Sequence, residues 1–270
     1  MLSNPFKKNG KVVFWTDNQF LLSQYPIISS NKILPEWFKE LTPKFNHSGM
    51  RGDALTVKRC PGIMRYLNYG YVVRTWTDII ITTDMKHGNV HFEYTENDHN
   101  TGRKNVFSYL GLNKPVSLMA DHTFGIPSAL PNAYFKNVLK WSLGWHAWMP
   151  KGYDLWFAPM QYHFNPHFTP TTGILDTRIT EQLNVQIFWH PQEEKVLIPA
   201  GTPLVQLIPV KRDELDFTIE ADETRLHEYR LKEKFARYWL KFTDKLNFMN
   251  YKYFNDDIDD VYRKKYKEKK

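Results

Sequence analysis

Apolar and polar residues alternate over short distances through most of the chain, which is the pattern of β-strands with one buried face. Pro, Gly and Asn residues interrupt the alternation at close intervals and so mark turns. The strands that this pattern predicts cover residues 11–15, 71–83, 90–95, 137–148, 153–160, 172–177, 184–190, 196–199 and 203–210. Many short strands separated by such turns predict a compact β-sandwich or barrel.

Helical segments accompany these strands. Residues 31–41 form a short N-terminal helix with Pro35 in its first turn, and residues 63–69 form another. Residues 222–249 contain no Pro or Gly. Apolar residues recur there at spacings of three and four: Leu231, Phe235, Tyr238, Phe242, Leu246 and Met249. The last segment therefore predicts a long amphipathic helix, which docks on the β-body or, alternatively, binds a partner.

We predict a mainly β fold (α+β) in three regions. Residues 1–110 form a β-rich lobe with short helices, either separate from the core or continuous with it. Residues 111–212 form the β-barrel or sandwich core, and residues 213–270 form a helical segment with a charged tail. Residues 42–53 are rich in Pro, Asn, Ser and Gly and are predicted to be a loop.

Composition narrows the classes of function. Aromatic residues make up 16% of the chain, which suits sheets and ligand pockets. The single cysteine, Cys60, excludes an intramolecular disulfide and a zinc site built on several thiolates. Residues 1–15 lack the apolar core of a signal peptide, and no apolar run is long enough to span a bilayer. We therefore expect no membrane partner and a location in the cytoplasm or in a particle assembled there.

Charge is unevenly distributed. The net charge is +7, and residues 222–270 hold fourteen Lys/Arg and ten Asp/Glu, a net of +4. The remaining residues are close to balance, which does not favour a nucleic-acid-binding surface. Nucleic acid is expected to contact the basic C-terminal tail weakly, if at all.

Motifs of aromatic and turn residues resemble a family of uncharacterised phage and bacterial proteins that share a domain of unknown function. The similarity extends over about residues 12–212 and rests on residues 34–39 (LPEWFK), 58–62 (KRCPG), 70–73 (GYVV), 137–153, 173–177 (GILDT) and 198–203 (IPAGTP). The resemblance implies a tailed-phage origin, in the host cytoplasm or the virion. It implies no activity.

Residues 173–208 are also similar, in part, to the β-clip fold of the trimeric dUTPase and dCTP deaminase superfamily. The resemblance implies that Asp176 would contact a deoxyribose, with Gln206 nearby. Ile179 stands where that superfamily has an aromatic residue, and Glu181 stands where it has glycine. These departures leave hydrolysis unsupported and allow at most a nucleotide-binding protein.

Tryptophans flank two histidines in the predicted strands. Trp145, His146 and Trp148 lie on one strand, and Trp189 and His190 lie on another. If the two strands are neighbours, these residues form an aromatic wall that could bind a planar or sugar-like ligand. The alternative is a strand with inward tryptophans and outward histidines.

A metal site is the other candidate. His163 and His167 flank Asn165-Pro166, and with Asp176 they could supply two imidazoles and a carboxylate to Fe(II). Pro166 disfavours the helix that would place the imidazoles on one face, so ordinary loop histidines are the alternative.

The sequence contains no Walker loop, dinucleotide fingerprint or Gly-x-Ser-x-Gly elbow. We therefore expect a non-enzymatic, phage-type β-domain that binds a ligand or a protein partner, without a cofactor. It could be a virion or assembly component, and a protein partner or a homo-oligomer is expected. Two alternatives stay open: an Fe(II)-dependent β-barrel oxygenase and a β-clip nucleotide-binding protein without hydrolase activity.

Overall fold

The computed structural model describes residues 10–46, 53–94, 112, 114–119, 130–132, 134–191, 193–212, 230–231 and 234. The chain divides into two compact units, Met1–Asp213 and Glu214–Lys270. Within the described residues, no helix is both long enough and apolar enough to cross a membrane. The helix predicted over residues 222–249 lies outside the described residues, except at residues 230, 231 and 234, which are helical.

The first unit consists mainly of β-strands. They are β1 (Val13–Trp15), β2 (Ile28–Ser29), β3 (Lys44–Asn46), β4 (Asp53–Leu55), β5 (Tyr71–Arg74), β6 (Ile79–Asp84), β7 (Asn89–Tyr94), β8 (Val116–Met119), β9 (Val138–Trp148), β10 (Tyr153–Pro159), β11 (Phe168–Pro170), β12 (Gly173–Leu175), β13 (Gln182–Trp189), β14 (Lys195–Ile198) and β15 (Pro203–Lys211). The described α-helices are α1 (Gln19–Gln24), α2 (Glu36–Glu40) and α3 (Pro61–Asn68). The predicted mainly β class is confirmed.

Three antiparallel sheets of three or more strands build most of the described part of the first unit, and β3 and β4 form a separate two-stranded sheet. The first sheet has the strand order β1–β9–β13–β11, and β8 also pairs with β9. The second sheet has the order β12–β10–β15–β5–β2, and the third has the order β14–β6–β7. Strands β5 and β6 pair with β15 and β14, so strands from residues 1–110 and from residues 111–212 share the same sheets.

Alternation along the strands places the core. In β9, the side chains of Trp141, Leu143, Trp145 and Ala147 are buried, and the residues between them are half-buried. Buried residues of all three sheets belong to one hydrophobic cluster. Burial of each large aliphatic or phenyl side chain stabilises such a core by about 1.5–3 kcal/mol.

Polar contacts of two buried threonines join segments that are distant in sequence. The Trp189 indole Nε1 donates to Thr83 Oγ1 at 2.8 Å, and both residues are buried. This bond connects β13 of the first sheet to β6 of the third. Thr75 Oγ1 donates to the Pro199 carbonyl at 2.7 Å and accepts from the Thr202 amide at 3.0 Å. The Thr75 hydroxyl therefore fixes the turn between β14 and β15.

A bulge in β9 requires glycine. The register between β9 and β13 shifts between Leu183 and Asn184, which leaves Gly144 in a bulge with φ of +69°. A Cβ at Gly144 would lie 2.5 Å from Leu21 Cδ1, which belongs to a fully buried residue. Both the backbone conformation and the close contact therefore exclude larger side chains.

The structure divides one of the predicted strands into two. The pattern over residues 71–83 predicts a single strand, but the structure divides it into β5 and β6, which lie in different sheets. The division has a long-range cause, since Thr75 and Asp78 bond to the turn between β14 and β15. Asp78 Oδ1 accepts from the Ala200 amide at 2.6 Å.

Two predictions near the N-terminus are also corrected. Within the predicted helix over residues 31–41, only α2 is α-helical, because a residue that precedes proline, here Leu34, is disfavoured in the helical conformation. The predicted loop over residues 42–53 contains β3 and the start of β4, which pair antiparallel.

Candidate functional site

The tryptophans and histidines of the predicted aromatic wall do not meet. Strands β9 and β13 are neighbours, but His146 pairs with Gln182 at one end of β13, and His190 follows its other end. Eight residues of strand separate those ends, about 26 Å. Trp145 and Trp189 are buried in the core, whereas His146 and His190 are half-buried on the opposite face.

His146 instead stacks on β1. Its ring lies 4.1 Å from the Trp15 ring with an interplanar angle of 15°. Trp148, two residues further along β9, pairs with Val13. The Nδ1 atom of His146 is buried and has no hydrogen-bond partner among the described residues. This end of the first sheet therefore presents a half-buried aromatic surface next to Gln182.

The three residues considered for Fe(II) lie apart. His163 ends a short 3-10 turn, where burial lowers its pKa and the nearby Ile33 backbone partly opposes that lowering. Burial also lowers the pKa of His167, which is followed by β11. Among the described residues, no group of three His, Cys, Asp or Glu side chains could hold a metal ion. The structure thus does not bring His163, His167 and Asp176 together.

Asp176 is engaged in an ion-pair network. Its Oδ1 accepts from the Arg178 backbone amide at 3.0 Å and from Arg178 Nε at 2.9 Å. Arg212 Nη2 lies 3.0 Å from Asp176 Oδ2, and Arg212 Nε donates to Asp154 Oδ2 at 3.0 Å. The bonds from Arg178, and to a lesser degree Arg212, hold the pKa of Asp176 well below its usual range. Two carboxylates and two guanidiniums thus neutralise one another at the end of β12.

Gln206 also forms hydrogen bonds within the protein. It is 2% exposed, and its Nε2 donates to the Tyr66 carbonyl at 2.8 Å and to the Tyr69 carbonyl. The Tyr66 carbonyl also accepts from the Tyr69 amide at 3.3 Å, and the Tyr69 carbonyl accepts from Ser30 Oγ at 3.0 Å, so Gln206 adds a second donor to each at the C-terminal end of α3. Gln206 lies on β15, and Asp176 directly follows β12; these two strands pair with opposite sides of β10. They do not share a site.

A small cavity adjoins Gln206. Tyr66, Tyr162 and His163 are among its lining residues, and its volume is about 10 Å³. That space holds about one water molecule. The Tyr66 hydroxyl donates to the Pro159 carbonyl at 2.5 Å, and burial raises the pKa of Tyr66. The cavity is too small for a ligand, and its polar groups serve packing.

A larger cleft opens where the chain changes sheets. Strand β11 pairs with β13 as far as Ile187, and the Thr171 amide donates to the Gln186 carbonyl at 2.9 Å. The chain then leaves the first sheet and pairs with β10 of the second sheet as β12. Along residues 182–185, β13 therefore has no described partner strand on the side opposite β9. We name the resulting space the β12–β13 cleft; its volume is about 270 Å³.

Neutral polar groups line much of this cleft. They are Thr171, Thr180, Gln182, Asn184 and Gln186. The remaining described lining comprises Gly173 and four apolar residues, Phe157, Ile174, Leu175 and Val185. None of these ten residues is ionisable. Asn184 Oδ1 is buried and has no hydrogen-bond partner among the described residues.

The cleft residues were not among those singled out from the sequence. One signal was present, because polar residues alternate with apolar ones along Gln182, Asn184 and Gln186. That alternation predicts only a solvated strand face. The separation of β12 from β13, which turns the face into a cleft, depends on pairing with β10.

No protein-family model, curated protein or solved structure matches this chain. A fold alone does not determine function, so the inference depends on the geometry of the site.

Proposed function

We propose that this chain is a binding domain, and that the β12–β13 cleft is its ligand site. The observation that supports the proposal most strongly is a buried polar atom without a partner, Asn184 Oδ1, on the lining of a cleft of about 270 Å³. Buried polar groups are normally hydrogen-bonded to protein or ordered water, so an exception calls for an explanation. Oδ1 has less than 1 Å² of accessible surface in the unliganded chain, so a ligand in the cleft supplies the missing hydrogen bond once the Asn184 side chain turns toward it.

The cleft has the composition of a binding site. Convergent polar groups lie beside the buried side chains of Phe157 and Val185, which are 7% and 1% exposed. Ligand sites combine an apolar surface with a few polar groups that orient the ligand. The carboxylate and histidines considered from the sequence lie outside the described lining, which favours binding over catalysis at this place.

A substitution at Gly173 tests the proposal. A Cβ added there meets no atom within 4 Å, and Gly173 lies opposite Phe157 on β10. Gly173→Leu should therefore fill the cleft and leave the fold intact. Gly62→Leu is the matched control, since a Cβ at Gly62 in α3 also meets no atom within 4 Å.

The measurement is a thermal-shift screen of small neutral and charged compounds at millimolar concentration. Specific binding raises the melting temperature by mass action. We expect at least one compound to stabilise the unmodified chain and Gly62→Leu but not Gly173→Leu. The proposal fails if no compound stabilises the chain, or if every stabilising compound acts equally on Gly173→Leu.

The architecture and setting belong to the same proposal. We interpret the first and second sheets, whose buried residues share one core, as the two layers of a β-sandwich. The resemblance over residues 12–212 supports a phage protein that acts in the host cytoplasm or the virion. Mass spectrometry of purified particles tests the virion setting, which requires the chain in stoichiometric amount.

A further inference from the structure

We infer that the β12–β13 cleft binds a neutral sugar ring. This inference rests on the proposed function, because it names the ligand class for the same site. Charge, hydrogen-bonding capacity, shape and the state of Asn184 each contribute to it.

Charge excludes ionic ligands. None of the ten described lining residues is ionisable, so a phosphate, carboxylate or ammonium would enter without a counter-charge. Transfer of an unpaired charge from water into such a site is strongly unfavourable. On the adjoining turn, Asp176 and Arg178 already pair with each other, and Asp176 also pairs with Arg212. Arg212 pairs with Asp154 as well, so these two carboxylates and two guanidiniums leave no net charge to attract an ion.

Hydrogen-bonding groups in the cleft match vicinal hydroxyls. Gln182, Asn184 and Gln186 each present a carboxamide, which both donates and accepts. Thr171 and Thr180 add two hydroxyls. Each sugar hydroxyl also donates and accepts, so one ring can satisfy several of these groups together. An apolar ligand would leave them unpaired at a cost.

The apolar part of the lining suits the C–H face of a ring. Phe157 and Val185 are buried beside the polar groups, and Ile174 is 68% exposed. The volume of about 270 Å³ lies just below the usual range for ligand pockets, which suits a small ligand. The cleft therefore accommodates about one ring, free or as one unit of a glycan.

Substitution of Asn184 tests the inference directly. Because its Oδ1 is buried without a partner, removing the amide should not weaken the unliganded fold. Asn184→Val replaces it with a residue that favours strands. We expect this variant to melt no lower than the unmodified chain and to bind the sugar at least tenfold more weakly.

The experiment measures binding by calorimetry and ligand-observed NMR. The probes are methyl glycosides of glucose, galactose and mannose, with glucose 6-phosphate, glucuronate and glucosamine as charged counterparts. Asn184→Val is compared with Ser117→Val, a substitution at an exposed position on β8 of the same sheet. Oligosaccharides of two to six units form a second arm, and tenfold tighter binding with length identifies a glycan rather than a free sugar.

The outcomes separate this inference from the proposed function. It is supported if a neutral glycoside or oligosaccharide binds, Asn184→Val weakens binding at least tenfold, and Ser117→Val does not. It is overturned if a charged counterpart binds as tightly, or if Asn184→Val binds normally. If Gly173→Leu abolishes the binding of non-sugar ligands only, the sugar inference is overturned and the proposed function stands. If no ligand shows that sensitivity, both fail.

Discussion

The bond between Trp189 and Thr83 offers a sharp test of how the sheets are joined. Thr83→Val removes the acceptor of the buried indole N–H and keeps the shape of the side chain. A stranded buried donor costs about 1–3 kcal/mol. The added methyl recovers up to about 0.8 kcal/mol of apolar burial. With that full recovery, we expect a net loss of about 0.2–2.2 kcal/mol in the free energy of unfolding.

A second pair of variants measures the contribution of the Thr83 hydroxyl separately from that of its methyl group. Thr83→Ser and Thr83→Ala both lose the methyl group, but only the serine retains an acceptor for the Trp189 indole. We expect the alanine variant to be less stable than the serine variant by about 1–3 kcal/mol. Urea unfolding of the full chain, followed by circular dichroism and tryptophan fluorescence, measures these differences.

Melting temperature gives a second readout. For a domain of this size, each kcal/mol shifts the melting temperature by roughly 2–4 °C, so Thr83→Val should melt roughly 0.4–9 °C lower. The reasoning is refuted if Thr83→Val matches the unmodified chain and the serine and alanine variants agree within about 0.3 kcal/mol.

Three further predictions follow from the glycine bulge and two titrating side chains. Gly144→Ala should lower the free energy of unfolding by about 1–3 kcal/mol more than Gly88→Ala does, as measured by urea unfolding. Both glycines have positive φ, but only at Gly144 would the added Cβ meet a close neighbour. Equal losses in the two variants would contradict this prediction. The pKa of Asp176 is lowered by Arg178, so its stabilisation is present above about pH 3.9 and lost on acidification. Between about pH 4 and 2, the melting temperature of Asp176→Asn should therefore fall less steeply than that of the unmodified chain. Parallel curves of melting temperature against pH for the two proteins would contradict this prediction. Burial lowers the pKa of His163, so the folded chain resists its protonation and loses stability as pH falls below about 6.5. His163→Gln should reduce the change in melting temperature between about pH 7 and 5, and an unchanged slope would argue against it.

Local patterns were sufficient for most strands. β9, β10 and β15 alternate or are strongly apolar, and each has a Pro or Gly turn next to at least one end, so their positions follow from short-range chemistry. The break between β5 and β6 was not predictable. It depends on Thr75 and Asp78, which bond to Pro199 and Ala200 more than 120 residues later.

In the candidate site, too, some features could be predicted from the sequence and others depend on tertiary contacts. The polar positions of β13 could be read from the sequence, and the bond from Arg178 to Asp176 spans only two residues. The contact of Arg212 with Asp176 and the burial of Gln206 against α3 are tertiary. The cleft itself arises because β12 pairs with β10 and not with β13. Nothing in residues 173–186 alone specifies that choice.

A crystal structure of the chain with the tightest-binding neutral glycoside would test the central claim most directly. We predict a ring between β12 and β13, with a sugar hydroxyl donating to Asn184 Oδ1 and a C–H face against Phe157. A ligand bound elsewhere, or an unoccupied cleft in which the Asn184 amide bonds to another protein group, would contradict the claim.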